Sequence, residues 1–209
     1  MKTICIYHSR DLDGWMSAAI VKKWFIKNNK YHIVFNKSTN KHIPSKIIED
    51  NRTKGTKEQD FQLHMLGWDY GDEIPNLSDY DKVIICDVSF PRSTMINLLN
   101  KYDNNLIWID HRFGAIRDIV GLNNINKEGV DISTAFNGIR NTNFAACELT
   151  WKYFFPNEEM PEIVRLLGRW NNMINVSITD KKEWLKVTEF QYGARQEIKD
   201  YEEAYWYLT

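Results

Sequence analysis

Three separate apolar runs in this chain each end in acidic or histidine residues, and that coincidence limits the fold more than any other feature. Thr3 to Tyr7 runs into His8, Asp11 and Asp13; VIIC runs into Asp87; NLIWI runs into Asp110, His111 and Arg112. A short, continuous apolar run suits a strand buried on both faces of a parallel sheet, and the loops that leave the carboxyl ends of such strands line one crevice. Polar residues on three strand ends are thereby brought to one place.

The intervening segments fit that architecture. WMSAAIVKKWFIKN after Gly14 and STMINLLNK from Ser93 repeat apolar residues at helical spacing, the second with Ser93 as its N-cap. Tyr31 to Phe35 reads as a second strand, completing a right-handed βαβ unit with parallel pairing, and His64 to Trp68 as a third. Lys37 to Gln62 is polar, with a weak helical signal from Ile43 to Asp50. From about Asn143 onward the pattern is helical. The expectation is an α/β protein: a Rossmann-like parallel β-sheet of about five strands flanked by helices in residues 1–142, followed by a helical C-terminal segment in 143–209.

At 209 residues and 43% hydrophobic content the chain has enough apolar material for a full core. Its 27 basic residues stand against 28 acidic ones, so no global field drives it onto nucleic acid or an anionic membrane, and contact with either must be local. Cys5, Cys86 and Cys147 lie far apart among apolar or small neighbours, which reads as buried free thiols in a reducing compartment rather than a zinc site. With no run of signal-peptide or membrane-spanning length, the expected location is the cytoplasm, with no membrane partner.

Carboxylates mixed with neutral imidazoles suit hard or borderline divalent ions such as Mn²⁺. Two such ions about 3.5 to 4 Å apart activate a water and clamp the oxygens of a phosphoryl group, provided that a carboxylate bridges them. Asp87, between the other two clusters, is where the bridge belongs. Taken singly, each cluster has a plainer reading: Asp11 and Asp13 as helix caps, His8 as a hydrogen-bonded edge histidine, Asp87 as a turn residue, His111 and Arg112 as a surface pair. The repetition at three strand ends outweighs those readings. HSRDLDG also lacks the glycines of a dinucleotide-binding loop, and its two carboxylates would repel a pyrophosphate.

At these residues the chain resembles the DHH phosphoesterases. YHSRDLDGWMSAAI is similar to the family's first motif, VIICDVSFP to its second and IWIDHR to its Asp-His-His motif, in matching order over roughly Met1 to Trp170. The resemblance implies that His8, Asp11 and Asp87 hold one metal ion and Asp13, Asp87 and His111 the other, both Mn²⁺, with Mg²⁺ the alternative. Asp110 would orient His111 or lie near the ions, and Arg112, or a basic residue from the polar loop region, would offset phosphate charge, so Asp110 and Arg112 are the expected catalytic residues beyond the ligands.

Departures from the family pattern are informative. Arg112 stands where the family usually has its second histidine, and Asn171 where it usually has an aspartate that completes the second metal site. An amide oxygen is a poorer ligand than a carboxylate, so Asn171 is a degenerate position and the second ion is expected to be weaker. The family's usual glycine-rich C-terminal substrate domain is not seen before the chain ends at YEEAYWYLT.

Trp15, Trp24, Trp151, Trp170, Trp184 and Trp206 mostly follow helical spacing and read as packing residues. Tyr205, Trp206, Tyr207 and Leu208 on the C-terminal helices are the candidate surface for a homo-oligomer or a partner subunit. The expected function is an Mn²⁺-dependent phosphohydrolase or phosphodiesterase acting on a small phosphorylated nucleotide or short oligonucleotide through a water activated by two metals. The alternative is a catalytically weakened, nucleotide-binding or interaction protein on the same fold.

Overall fold

Five short apolar segments form the sheet: β1 (Lys2–His8), β2 (His32–Phe35), β3 (Gln62–Trp68), β4 (Lys82–Cys86) and β5 (Leu106–Ile109). The computed structural model describes residues 1–28, 32–35, 62–133, 135–172 and 180–209. All the strand pairings are parallel, in the order β2-β3-β1-β4-β5. The α/β class and the five parallel strands agree with the sequence reading. One pairing differs: β2 runs parallel as expected but pairs with β3, which lies between it and β1. β3 is seven residues long and buried from Leu63 to Trp68, the pattern of an interior strand rather than an edge. The weak helical signal at Ile43 to Asp50 falls outside the described residues.

Alternation along the strands divides the core in two. Cys5, Tyr7, Ile84, Cys86, Ile107 and Ile109 face one side. Ile4, Ile6, Val83, Ile85, Leu106 and Trp108 face the other. The second side is covered by α2 (Arg92–Tyr102) and α3 (Phe113–Val120), through Met95, Leu98, Ile116 and Ile119. Helix α2 begins one residue before Ser93: Pro91 is its N-cap and no side chain caps it. Proline's fixed φ suits a helix entry, and Ser93 lies within the first turn.

The first side is covered by α1 (Leu12–Asn28) together with α4 (Ala146–Phe154), α5 (Glu162–Asn172), α6 (Lys181–Glu197) and α7 (Tyr201–Trp206). α1 packs against both α4 and α7. Ala145, Leu149, Val164, Leu167, Ala194, Ile198 and Leu208 share one apolar cluster with the sheet, so the helical segment closes this half of the core. Lys22 on α1 is buried and pairs with Glu202 on α7 at 2.5 Å. Trp151 is buried, whereas Trp184 and Trp206 are exposed; of the C-terminal quartet, Leu208 is buried and Trp206 and Tyr207 face solvent. The three cysteines are buried and free, and no helix among the described residues is long and apolar enough to cross a membrane.

Ile85 is fully buried on β4, between two other strands and against α2 and α3. Ile85→Ala is expected to lower unfolding stability by roughly 2–5 kcal/mol, measured by urea denaturation.

Candidate metal centre

The end of β1 is forced into close contact with the start of α1. A Cβ on Gly14 would lie 2.0 Å from the backbone oxygen of His8, so only glycine fits there. The tight turn is closed by Asp11, whose Oδ1 accepts the Gly14 N–H at 3.0 Å. It places His8 at the strand end, Asp11 beside it and Asp13 in the first helical turn. Asp13 is buried and also caps a distant helix. Its Oδ1 accepts the Cys147 N–H at 2.7 Å and its Oδ2 the Ala146 N–H at 3.0 Å. A residue of α1 thus satisfies two orphan donors at the start of α4.

Asp87 follows directly after β4, with φ at 60°, in the left-handed region that an aspartate tolerates better than most residues. Its N–H donates to Ile109 O at 2.9 Å, holding the turn to the neighbouring strand. After β5, Asp110 Oδ1 accepts the backbone N–H groups of His111 at 2.7 Å and Arg112 at 3.0 Å. Asp110 therefore orients the loop that carries both residues, through the backbone rather than through the His111 ring.

These turns bring the five expected ligands into two groups. His8, Asp11 and Asp87 form the first; Asp13, Asp87 and His111 form the second; within each, one ligand atom per residue lies within 4.8 Å of the others. Asp87 belongs to both, in the position of a bridge. His8 Nδ1 is 2.8 Å from Asp11 Oδ2 and 3.5 Å from Asp87 Oδ2, and His111 Nε2 is 3.3 Å from Asp87 Oδ1 and 3.5 Å from Asp13 Oδ2. Asp87 and Asp110 are fully buried; Oδ2 of Asp110 has no hydrogen-bond partner among the described residues, and Oδ2 of Asp87 has only the long contact from His8 Nδ1 at 3.5 Å. A buried, unsatisfied carboxylate oxygen is costly, and a divalent cation is the partner that these donor sets fit. Asp110 belongs to neither group.

Asn171 on α5 reaches the centre as expected, but as a donor: its Nδ2 lies 2.8 Å from Asp13 Oδ2. Arg112 points inward, with Nη1 2.7 Å from Asp87 Oδ1. One participant was missed in the sequence. Asp69, at the end of β3, stands 3.3 Å from His8 Nε2 and is held by Arg10 Nε at 2.6 Å. A carboxylate near one ring nitrogen of a histidine helps to orient the ring, and here the other nitrogen, Nδ1, faces Asp11. The signal was the same as for the others, an apolar run ending in an acid, hidden in a stretch that reads as turns.

The electrostatics reflect the crowding of buried acids. Burial pushes the Asp87 carboxyl up, as does the charge of Asp13, while hydrogen bonds from His111 and His8 offset part of this. Burial likewise raises Asp110. For His8 burial opposes the charged form, but hydrogen bonds and charge from Asp11 and Asp87 outweigh it and hold the imidazolium up to about 10. His111 follows the same pattern, with burial opposed by Asp87, Asp13 and Asp110, and reaches about 9. Arg112 stays charged.

The family model described as the DHH family, N-terminal domain, matches residues 3–168. Nothing among the curated proteins or the solved structures matches the chain.

Two outcomes are expected. Gly14→Ala forces the β1–α1 turn apart, so it should lower stability by about 1–3 kcal/mol and weaken any divalent-metal binding at the two groups at least tenfold, read by denaturation and calorimetry. The second concerns pH. Both histidines are raised above the ordinary value of 6.5, so the stability they confer on metal-free protein is full below 6.5 and is lost as pH climbs through about 9 and about 10. The melting temperature of chelator-treated protein should therefore fall between pH 6.5 and 10, with a shallower slope in His8→Gln; equal slopes would count against the pairing.

Proposed function

The chain belongs to the DHH family, and from that premise we propose that it is an Mn²⁺-dependent phosphohydrolase cleaving a small phosphorylated nucleotide or short oligonucleotide. Members of the family are in general phosphoesterase-type hydrolases that depend on divalent metal. The observation that carries the reading is the buried carboxylate of Asp87 shared between two donor groups. Divalent ions held there would supply an activated water and polarise the phosphoryl oxygens.

The chain's own residues divide the remaining work. Asp87 would bridge the ions, with His8 and Asp11 completing one donor group and Asp13 and His111 the other. Asp69 and Asp110 hold the ring of His8 and the backbone of the His111–Arg112 loop. A cavity of about 680 Å³ adjoins the centre, with Arg112 on the wall between them. Trp68, Tyr70, Phe90 and Ile74 give it apolar and aromatic surface, and its charged groups are Arg92 and Arg112 opposed by Asp72 and Asp118, with Arg112 the one that also reaches the centre. That lining suits a flat base joined to a phosphate, and its size favours a small substrate.

Asn171 and the inward Arg112 favour a second reading, a nucleotide-binding protein on this fold without turnover. A single assay separates the two: hydrolysis of a 5′-phosphorylated dinucleotide with Mn²⁺, in wild-type protein and in Asp87→Asn. The proposal predicts metal-dependent turnover that falls by about a thousandfold or more in the variant, the scale of losing a principal catalytic group. Binding of the dinucleotide with no turnover in wild-type protein would establish the second reading.

A further inference from the structure

The first donor group already has a cation seated in it. Arg112 Nη1 lies 2.7 Å from Asp87 Oδ1 and also donates to the Asp87 backbone oxygen. Nη2 lies 3.2 Å from His8 Nδ1 and 3.7 Å from Asp11 Oδ2. Every member of the His8–Asp11–Asp87 group is therefore within 3.7 Å of a guanidinium nitrogen. The second group is approached differently. Its neighbour Asn171 is neutral, and its contact with Asp13 is one hydrogen bond at 2.8 Å. Both groups share Asp87, whose Oδ1 faces Arg112 Nη1 and His111 Nε2 alike. The first differs in that Nη2 also reaches His8 and Asp11, so a divalent ion there must displace the guanidinium from all three members, whereas one at the second competes with it only at Asp87.

Arg112 also has somewhere to go. Its backbone N–H is fixed by Asp110 Oδ1, but its side chain lines the cavity of about 680 Å³ beside the centre. Rotation away from Asp87 would carry the guanidinium into that space, next to Arg92 and Asp118 on the wall.

Resting on the metal-dependent reading above, we propose that Arg112 is the resident cation of the His8–Asp11–Asp87 group. A divalent ion enters that group only by displacing the guanidinium into the cavity, so the first ion binds at Asp13–Asp87–His111. This reverses the order expected from Asn171 alone: the weaker position is the one that Arg112 fills. It also gives the departure from the family's second histidine a physical consequence, since an imidazole in that place can lose its charge and a guanidinium cannot.

The test is calorimetric titration of chelator-stripped protein with Mn²⁺ alone, in wild-type, Arg112→Gln, Arg112→His, His8→Ala and His111→Ala, each first shown to melt in one cooperative transition. Wild-type protein should bind one tight equivalent that His111→Ala removes and His8→Ala keeps, and a second at least tenfold weaker. In both Arg112 variants the second equivalent should tighten tenfold or more, and either variant suffices if the other does not fold. Unchanged second-ion affinity in the Arg112 variants, or a tight ion lost in His8→Ala instead, overturns the proposal. Mn²⁺ binding in this order without any hydrolysis would leave it standing and remove only the enzymatic reading, whereas no Mn²⁺ binding in any variant would remove both.

Discussion

Burying Asp13, Asp87 and Asp110 together at one sheet edge is the constraint on which the rest of the structure depends. Carboxylates taken out of water cost several kcal/mol each unless they are hydrogen-bonded or paired with charge, and here they also repel one another. The chain meets that cost with several devices. Helix α4 directs two N–H groups at Asp13, the loop backbone after β5 satisfies one oxygen of Asp110, and two raised histidines and Arg112 surround Asp87. Oδ2 of Asp87 is approached by these donors only through His8 Nδ1 at 3.5 Å, and the two groups that share this carboxylate could hold divalent ions.

The helical segment belongs to this arrangement as much as to the core. By capping α4, Asp13 ties the segment beginning near residue 146 to the loop after β1, and Asn171 on α5 touches the same carboxylate. Packing of α4 and α7 on α1 holds the turn that Gly14 makes possible. Removal of these helices would therefore expose both an apolar face and a charged centre.

Much of this was legible in the sequence because strand period, burial and strand-end polarity are local signals. Thr3 to Tyr7 and the runs before Asp87 and Asp110 are strands in the expected parallel sheet, and the five residues expected as ligands lie close together in two groups that could hold a metal ion. The insertion of β3 between β1 and β2 was not legible, since pairing depends on which strand buries best and not on order along the chain. Capping of α4 by Asp13 spans 133 and 134 positions and has no local signature. Asp69 was obscured by the turn residues after it, and Ser93 was a weaker start signal than Pro91. The inward course of Arg112 depends on how Asp110 folds the loop, which no spacing rule supplies.

The central claim, that Asp87 bridges a divalent-metal centre, is tested most directly by anomalous diffraction at the manganese edge from crystals soaked in Mn²⁺. The account predicts an anomalous peak at coordinating distance, about 2.2 Å, from Asp87 and shared with Asp13 and His111, joined at excess Mn²⁺ by a second about 3.5–4 Å away. Well-ordered crystals with no anomalous peak at the Asp87 carboxylate would contradict it.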